Sequence, residues 1–223
     1  LEFQESKSPG GLGTLRDFHH YCYHVAGVVG EMLTELFCEY SEEMARNRAR
    51  LLALAVSFGQ GLQMTNILKD LWEDKDHGAC WLPRDVFREA GYNLENLRPG
   101  GYAEAFGEGL AVLIGVARGH LREALDYTLL IPRHETGIRK FCLWAIGMAI
   151  FTLRKINHKR YYTSGREVKI SRRTLKSVIL VTQVGLRSNF LLKGLFSLAE
   201  CGLPAGRRNP GEEFHEPRAV SGL

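Results

Sequence analysis

The 223-residue sequence has no Cys-x-x-Cys pair, no glycine-rich phosphate loop ahead of a helix, no internal repeat and no strand-rich stretch. Each absence closes off a class. The five cysteines, at 22, 38, 80, 142 and 201, are odd in number and widely scattered. That excludes a disulfide framework and points to a reducing compartment. The greasiest run, FCLWAIGMAIFTL at 141–153, is 13 residues long. It falls short of the ~20 residues a membrane-spanning helix needs and reads as a buried helix. No signal-peptide pattern opens the chain.

What is present suits a globular chain with a real core: 45% hydrophobic and 24% charged residues. The net charge of +4 hides an asymmetry, because residues 1–130 hold 12 Lys and Arg against 19 Asp and Glu, and residues 131–223 hold 17 against 6. An acidic half beside a basic half is either a cation site facing an anion site or a polar protein with a basic tail. The basic residues are spread among apolar helices and not interleaved with exposed aromatics, which argues against nucleic acid as a partner.

The opening Ser-, Gly- and Pro-containing segment, residues 1–13, reads as linker-like. Helical spacing then dominates, with helices expected near 14–40, 41–75, 84–90, 102–130, 135–162 and 172–200. TSGREVKI, at 163–170, carries a glycine turn and a short β-like run, and is expected to form a flap. Residues 203–223, rich in Gly, Pro and charge, read as a disordered tail. The expected fold is all-α, one helical domain over 14–202.

Between 58 and 77 one stripe of the helix collects Gly59, Gln63, Asn66, Asp70, Asp74 and His77, while Phe58, Met64, Leu68, Leu71 and Trp72 fall opposite. Amphipathicity alone allows a solvated face. Solvated faces, however, usually alternate Lys with Glu, whereas here like charges stand at i, i+4. Asp70 and Asp74 suit a hard cation such as Mg²⁺, which takes one or two carboxylates, waters and substrate phosphates. Glu73 flanks them. In the preceding helix, YCYHVAGVVG places Ala26, Gly27 and Gly30 in a bulky run. Glycine inside a helix costs about 1 kcal/mol relative to alanine, so either a helix packs closely there or the wall stays flat against a ligand. His20 and His24 stand four apart, but no carboxylate follows at a zinc-enzyme spacing.

Taken together, these two segments resemble the squalene/phytoene synthase family of head-to-head prenyltransferases. YCYHVAGVVG is similar to its Y-C-x-x-V-A-G-x-V-G helix. GLQMTNILKDLWEDKDHGACWLP is similar to its second aspartate-rich motif. The resemblance implies an isoprenoid synthase fold with a central cavity where Mg²⁺ and prenyl diphosphates, here farnesyl diphosphate, are held. It implies Asp70, Asp74 and Glu73 as metal-binding acids, and Gln63, Asn66, Lys69, Val25 and Gly27 as substrate-binding residues. Tyr21 matches a catalytic tyrosine near the reacting carbons. Lys69 stands where the family usually has Arg, exchanging a forked grip on phosphate for a point contact.

Residues 141–153 and SGREVKISRR resemble the corresponding segments of squalene synthases, with Lys169 and Arg172 as the cations facing NADPH. Two departures stand out: Ala145 and Ile146 replace a Pro-Gln pair, and Ser171 occupies the position of an Arg. The expected activity is therefore a squalene synthase, with a dehydrosqualene or phytoene synthase, which omits reduction, as the alternative. An inactive helical interaction protein is the alternative from another class. Residues 1–65 hold no counterpart of the family's first aspartate-rich motif, so the chain is read as truncated at its N-terminus and incomplete for catalysis. A cytoplasmic monomer with at most peripheral membrane contact is expected.

Overall fold

The computed structural model describes residues 10–206 apart from residue 102. Most of the linker-like start and of the tail expected from the sequence therefore lies outside the described residues. The parts of them that are described are packed. Leu12 forms a one-residue parallel bridge to Pro83, with its N–H donating to Leu82 O and its carbonyl accepting from Arg84 N–H, both at 2.9 Å. Near the other end, Arg118 donates to the carbonyls of Leu203 and Pro204.

Helices account for the fold, and the bridge at Leu12 stands in place of any strand among the described residues. The first, α1 (Leu15–Cys22), starts at a reciprocal cap in which Thr14 and Asp17 satisfy each other's backbone N–H. It runs through a five-residue π-helical turn, Tyr23–Gly27, into α2 (Val28–Tyr40). A Cβ on Gly27 would fall 2.7 Å from the Tyr23 ring, so this wide turn closes only over a residue without a side chain.

Three pieces replace the single helix expected over 41–75: α3 (Glu42–Ala45), α4 (Arg48–Lys69) and α5 (Leu71–Asp76). The break at Asp70 has a local cause. The buried Tyr162 hydroxyl donates to Leu68 O, and a Cβ on Gly165 would lie 2.7 Å from Lys69 O. A side chain and a neighbouring backbone thus crowd the carbonyl ladder there, a recognised origin of helix bends. The backbone bonds Asp70 N–H to Asn66 O and Asp74 N–H to Asp70 O persist, so the segment bends without unravelling.

Beyond it lie α6 (Arg84–Glu89), a 3₁₀ turn at Leu94–Asn96, α7 (Glu104–Leu130) and α8 (Thr136–His158). The segment expected to be a β-like flap is a single helical turn, α9 (Gly165–Val168), capped by Ser164. The helix expected over 172–200 is two, α10 (Arg172–Gly185) and α11 (Asn189–Glu200), the second capped by Ser188. Arg139 holds the corner between them. Its fully buried guanidinium donates to Leu186 O and Asn189 Oδ1, and also to Thr128 O and Ile131 O at the end of α7. Four acceptors from two chain corners compensate a charge that burial would otherwise make costly.

The centre of the fold is α4, packed along α7 and flanked by α2, the π turn and α8. By length and composition α4 and α8 are each apolar enough to cross a bilayer, which corrects the reading of no such run. Their apolar stretches extend through Gly, Ser, Thr, Gln and Asn, and their buried residues, including Leu51, Met64, Leu68, Ile150 and Leu153, form the core here.

Glycine settles how tightly α4 meets the helix before it. A Cβ on Gly30 would lie 2.3 Å from Ala55 O, and one on Gly59 would lie 2.2 Å from Ala26 O. The small residues at 26, 30 and 59 therefore serve helix packing. Replacing Gly59 by alanine should cost about 2 kcal/mol by overpacking, a Tm drop on the order of 5 °C for a chain of this size. Thermal unfolding followed by circular dichroism checks this, and an unchanged Tm would contradict the crossing.

Candidate active site

The acid stripe lies on the last turn of α4, the bend and α5. Asn66 is exposed and Gln63 half-buried, and Gln63 forms no hydrogen bond among the described residues. Lys69 Nζ stands 3.1 Å from Asp70 Oδ2 and 3.4 Å from Asn66 Oδ1. The Asp70 carboxylate remains 43% accessible, so this ion pair is partly solvated and weak. Asp74 differs. Its carboxylate has no hydrogen bond or ion pair among the described residues, and its pKa is raised. Burial is the largest cause, followed by repulsion from Asp70 and Glu73, with His77 acting in the opposite direction.

Glu73 faces elsewhere. Its Oε1 accepts from Gly165 N–H at 2.9 Å and from Ser164 Oγ at 3.2 Å, and its Oε2 accepts from Gly165 N–H at 3.2 Å. It caps α9 and ties that turn to the acid segment, a role that its spacing did not reveal. The same region is closed by Trp72, whose Nε1 donates to Tyr162 O at 2.7 Å.

Tyr21 approaches from α1. Its ring stacks on Trp81, with centroids 4.3 Å apart and planes 12° from parallel. Its hydroxyl pKa is raised by burial first, then by Cys22 and by the charge of Asp74. The structure thus places Tyr21 within the field of Asp74, which in turn feels Asp70. Gly27 is buried in the π turn, while Val25 is 44% exposed on the same face as Val29. Lys169 and Arg172 are exposed at the end of α9 and the start of α10, and neither is ion-paired among the described residues.

Three contributors escaped sequence reasoning. Tyr162 comes from some ninety residues away in an aperiodic segment. Trp81 lies inside the acid motif but beyond its helix, so helical spacing could not place it. The third is a buried pair behind Tyr21: His19 Nδ1 lies 3.3 Å from His120 Nε2, and His120 Nδ1 lies 3.1 Å from Ser57 Oγ, which donates to Glu123.

Among the described residues no group of three or more His, Cys, Asp or Glu converges as a metal cage. Two carboxylates one turn apart still fit a hard cation whose remaining ligands are water and phosphate oxygens, as Mg²⁺ sites commonly are. The pKa of Asp74 is raised by burial first and by the neighbouring Asp70 and Glu73 second, so its ionised form is the one that a countercharge would favour.

Comparison with known proteins gives the family. The profile of the family described as squalene/phytoene synthase matches residues 3–174. The chain belongs to this family, whose members are prenyltransferases. A phytoene synthase of Thermus thermophilus is 37% identical over 123 residues, covering 55% of this chain and 40% of that protein. A squalene synthase of Gibberella zeae is 35% identical over 150 residues, covering 67% of this chain and 32% of that protein. The matched part of the chain therefore spans 32–40% of the length of these relatives. A dehydrosqualene synthase crystallised with a ligand shares the fold, with a TM-score of 0.62 at 23% identity over 80% of this chain and 59% of that one.

The buried histidines set a pH dependence. Burial lowers His19 from 6.5 to about 4, and burial with repulsion from His19 lowers His120 from 6.5 to about 3. Both are neutral when folded and bind protons more readily when unfolded. Stability should therefore fall as pH drops below 6.5, by up to about 1.4 kcal/mol per pH unit for each ring. Urea unfolding between pH 6.5 and 5.5, above the range in which most carboxylates titrate, should show this decline, and His120→Gln should flatten it. A constant midpoint over that window would contradict the assignment.

Proposed function

We propose that this chain is the aspartate-rich part of a head-to-head prenyltransferase acting on farnesyl diphosphate. The observation that carries the reading is the pair Asp70 and Asp74, like charges one turn apart, with Asp74 raised by burial and repulsion and Tyr21 within reach of its field. Asp70 and Asp74 are the residues that would hold Mg²⁺. The ion would supply charge neutralisation on a diphosphate leaving group.

The chain's own side chains account for the rest. Lys69 and Asn66, on the accessible side of the stripe, would meet phosphate oxygens. The Lys69–Asp70 contact is solvated enough to open for that purpose. Tyr21, with its pKa raised, keeps its proton at neutral pH. Its stacked ring offers a π face to carbocation charge developing on the departing allyl group. Val25 and Val29 extend an apolar surface beside it, where excluding water protects such a cation.

Within the family, the finer reading is a squalene synthase that reduces the condensed C30 product with NADPH. Support comes from the resemblance of residues 141–153 and 164–173, and from Lys169 and Arg172, which are exposed and free of ion pairs among the described residues. The cofactor's phosphates would find cations there. A dehydrosqualene or phytoene synthase follows if this hydride step is missing.

The experiment is Mg²⁺-dependent binding of farnesyl thiodiphosphate, measured by calorimetry on the polypeptide that contains this chain. Affinity should rise with Mg²⁺ and fall by tenfold or more in Asp70→Asn or Asp74→Asn, with helicity unchanged. Affinity indifferent to Mg²⁺ and to both variants would leave an inactive helical protein as the reading. With the polypeptide turning over farnesyl diphosphate, products should change from squalene to an unreduced compound when NADPH is withheld. Identical products in both conditions would remove the squalene reading and keep the condensation.

A further inference from the structure

We propose that the cavity framed by α8, α10 and α11 is a binding site for a single-chain aliphatic carboxylate, separate from the acid stripe. The cavity holds about 330 Å³, within the ~300–1,000 Å³ of small-molecule pockets. No residue of α4 or α5 contributes to its walls, so the proposal is independent of the catalytic reading. Ile146 and Ile150 of α8, Val178 of α10 and Phe196 of α11 belong to its buried lining. Val181 and Leu198, 41% and 71% exposed, stand at its mouth.

Protein interiors seldom leave voids larger than a water molecule, and loose docking of the helices does not account for this one. A Cβ on Gly147 would fall 2.5 Å from Val178 Cγ1, so α8 and α10 meet closely there. Trp144 Nε1 donates to Thr182 Oγ1 at 3.0 Å across the same pair of helices. Arg154 ties α8 to the end of α11, its Nη1 donating to Ala199 O at 3.0 Å and to Leu198 O at 3.4 Å. Defined contacts therefore hold the three helices around the hollow. An aliphatic chain entering it would remove apolar surface from water and restore the missing dispersion contacts.

The polar part of the wall chooses the head group. It consists of Arg154, Ser177 and Thr182. Thr182 spends its hydroxyl proton on Ile179 O, and Ser177 spends its own on Arg173 O. Arg154, exposed at the rim, keeps Nε and Nη2 without a partner among the described residues. That edge of the guanidinium presents two parallel N–H donors, the fork that grips both oxygens of a carboxylate. The surrounding charge agrees. The three helices carry a single acid, Glu200, which is buried and paired with Arg118 and Arg122. The field at the mouth therefore favours an anion. A diphosphate fits less well, because no carboxylate lines the cavity to hold the Mg²⁺ that usually accompanies one.

The test is calorimetric titration of decanoate, below its micellar concentration and without Mg²⁺, into the polypeptide that contains this chain. Decanoate should bind saturably at one site, and Arg154→Gln should weaken it about tenfold or more. Decanol should bind more weakly than decanoate and be indifferent to Arg154→Gln. Val181→Trp, which fills the mouth, should weaken both ligands about tenfold or more. Both side chains are exposed, so the variants should keep native helicity. They should also keep Mg²⁺-dependent binding of farnesyl thiodiphosphate, which separates failure here from failure at the acid stripe. No saturable binding of decanoate, or binding unchanged in both variants, would overturn the proposal. So would farnesyl phosphate binding more tightly than decanoate with the same dependence on Arg154, which would make the ligand an isoprenoid phosphate.

Discussion

Asp70 and Asp74 repel each other, and much of the surrounding structure is arranged so that neither can escape the repulsion. The bend between α4 and α5 keeps the two carboxylates within a turn of each other while the backbone bonds across it persist. Lys69 answers Asp70 across a partly solvated gap, whereas Asp74 forms no ion pair among the described residues and His77 opposes its rise without offsetting it. Glu73 adds to the repulsion on Asp74 while its carboxylate caps the N-terminus of α9. An isolated helix would relieve such a pair by fraying. Here Trp72, Tyr162 and Gly165 clamp the segment from the far side, so the charge conflict persists in the folded chain.

The second half of the site depends on how closely helices can approach. Gly30 against Ala55 and Gly59 against Ala26 bring α4 onto the π turn at backbone contact. A π turn adds a residue to the helical repeat and re-aims the side chains around it. On its near side, Tyr21 meets Trp81, whose own segment is pinned to Leu12 by the bridge at residues 82–84. The tyrosine and the acids are therefore positioned by two contacts distant in sequence, one helix crossing and one bridge.

The sequence made the helical class and the acid motif legible because both are written in local spacing. Asp70 and Asp74 at i, i+4, and the small residues at 26, 27 and 30, announce themselves without any tertiary knowledge. What escaped was written in long-range contact. The bend at Asp70 is caused by Tyr162, the corner between α10 and α11 is held by Arg139, and Glu73 is claimed by Gly165. None of these partners shares a period with its target. The same limit explains why the small-residue stripe stayed ambiguous between packing and a ligand wall until Ala55 and Gly59 were seen against it. It also explains why 163–170, β-branched and basic, read as a flap although Ser164 and Glu73 fix it as a helical turn.

The most direct measurement is the ionisation of Asp74 itself, followed by carbon NMR of its side-chain carboxyl as pH is lowered, with and without Mg²⁺ and inorganic diphosphate. The account predicts a pKa above the ordinary aspartate value in the metal-free protein, falling when both ions are added. An ordinary pKa in the absence of metal, or one unmoved by Mg²⁺ with diphosphate, would show that the two acids do not converge on a cation.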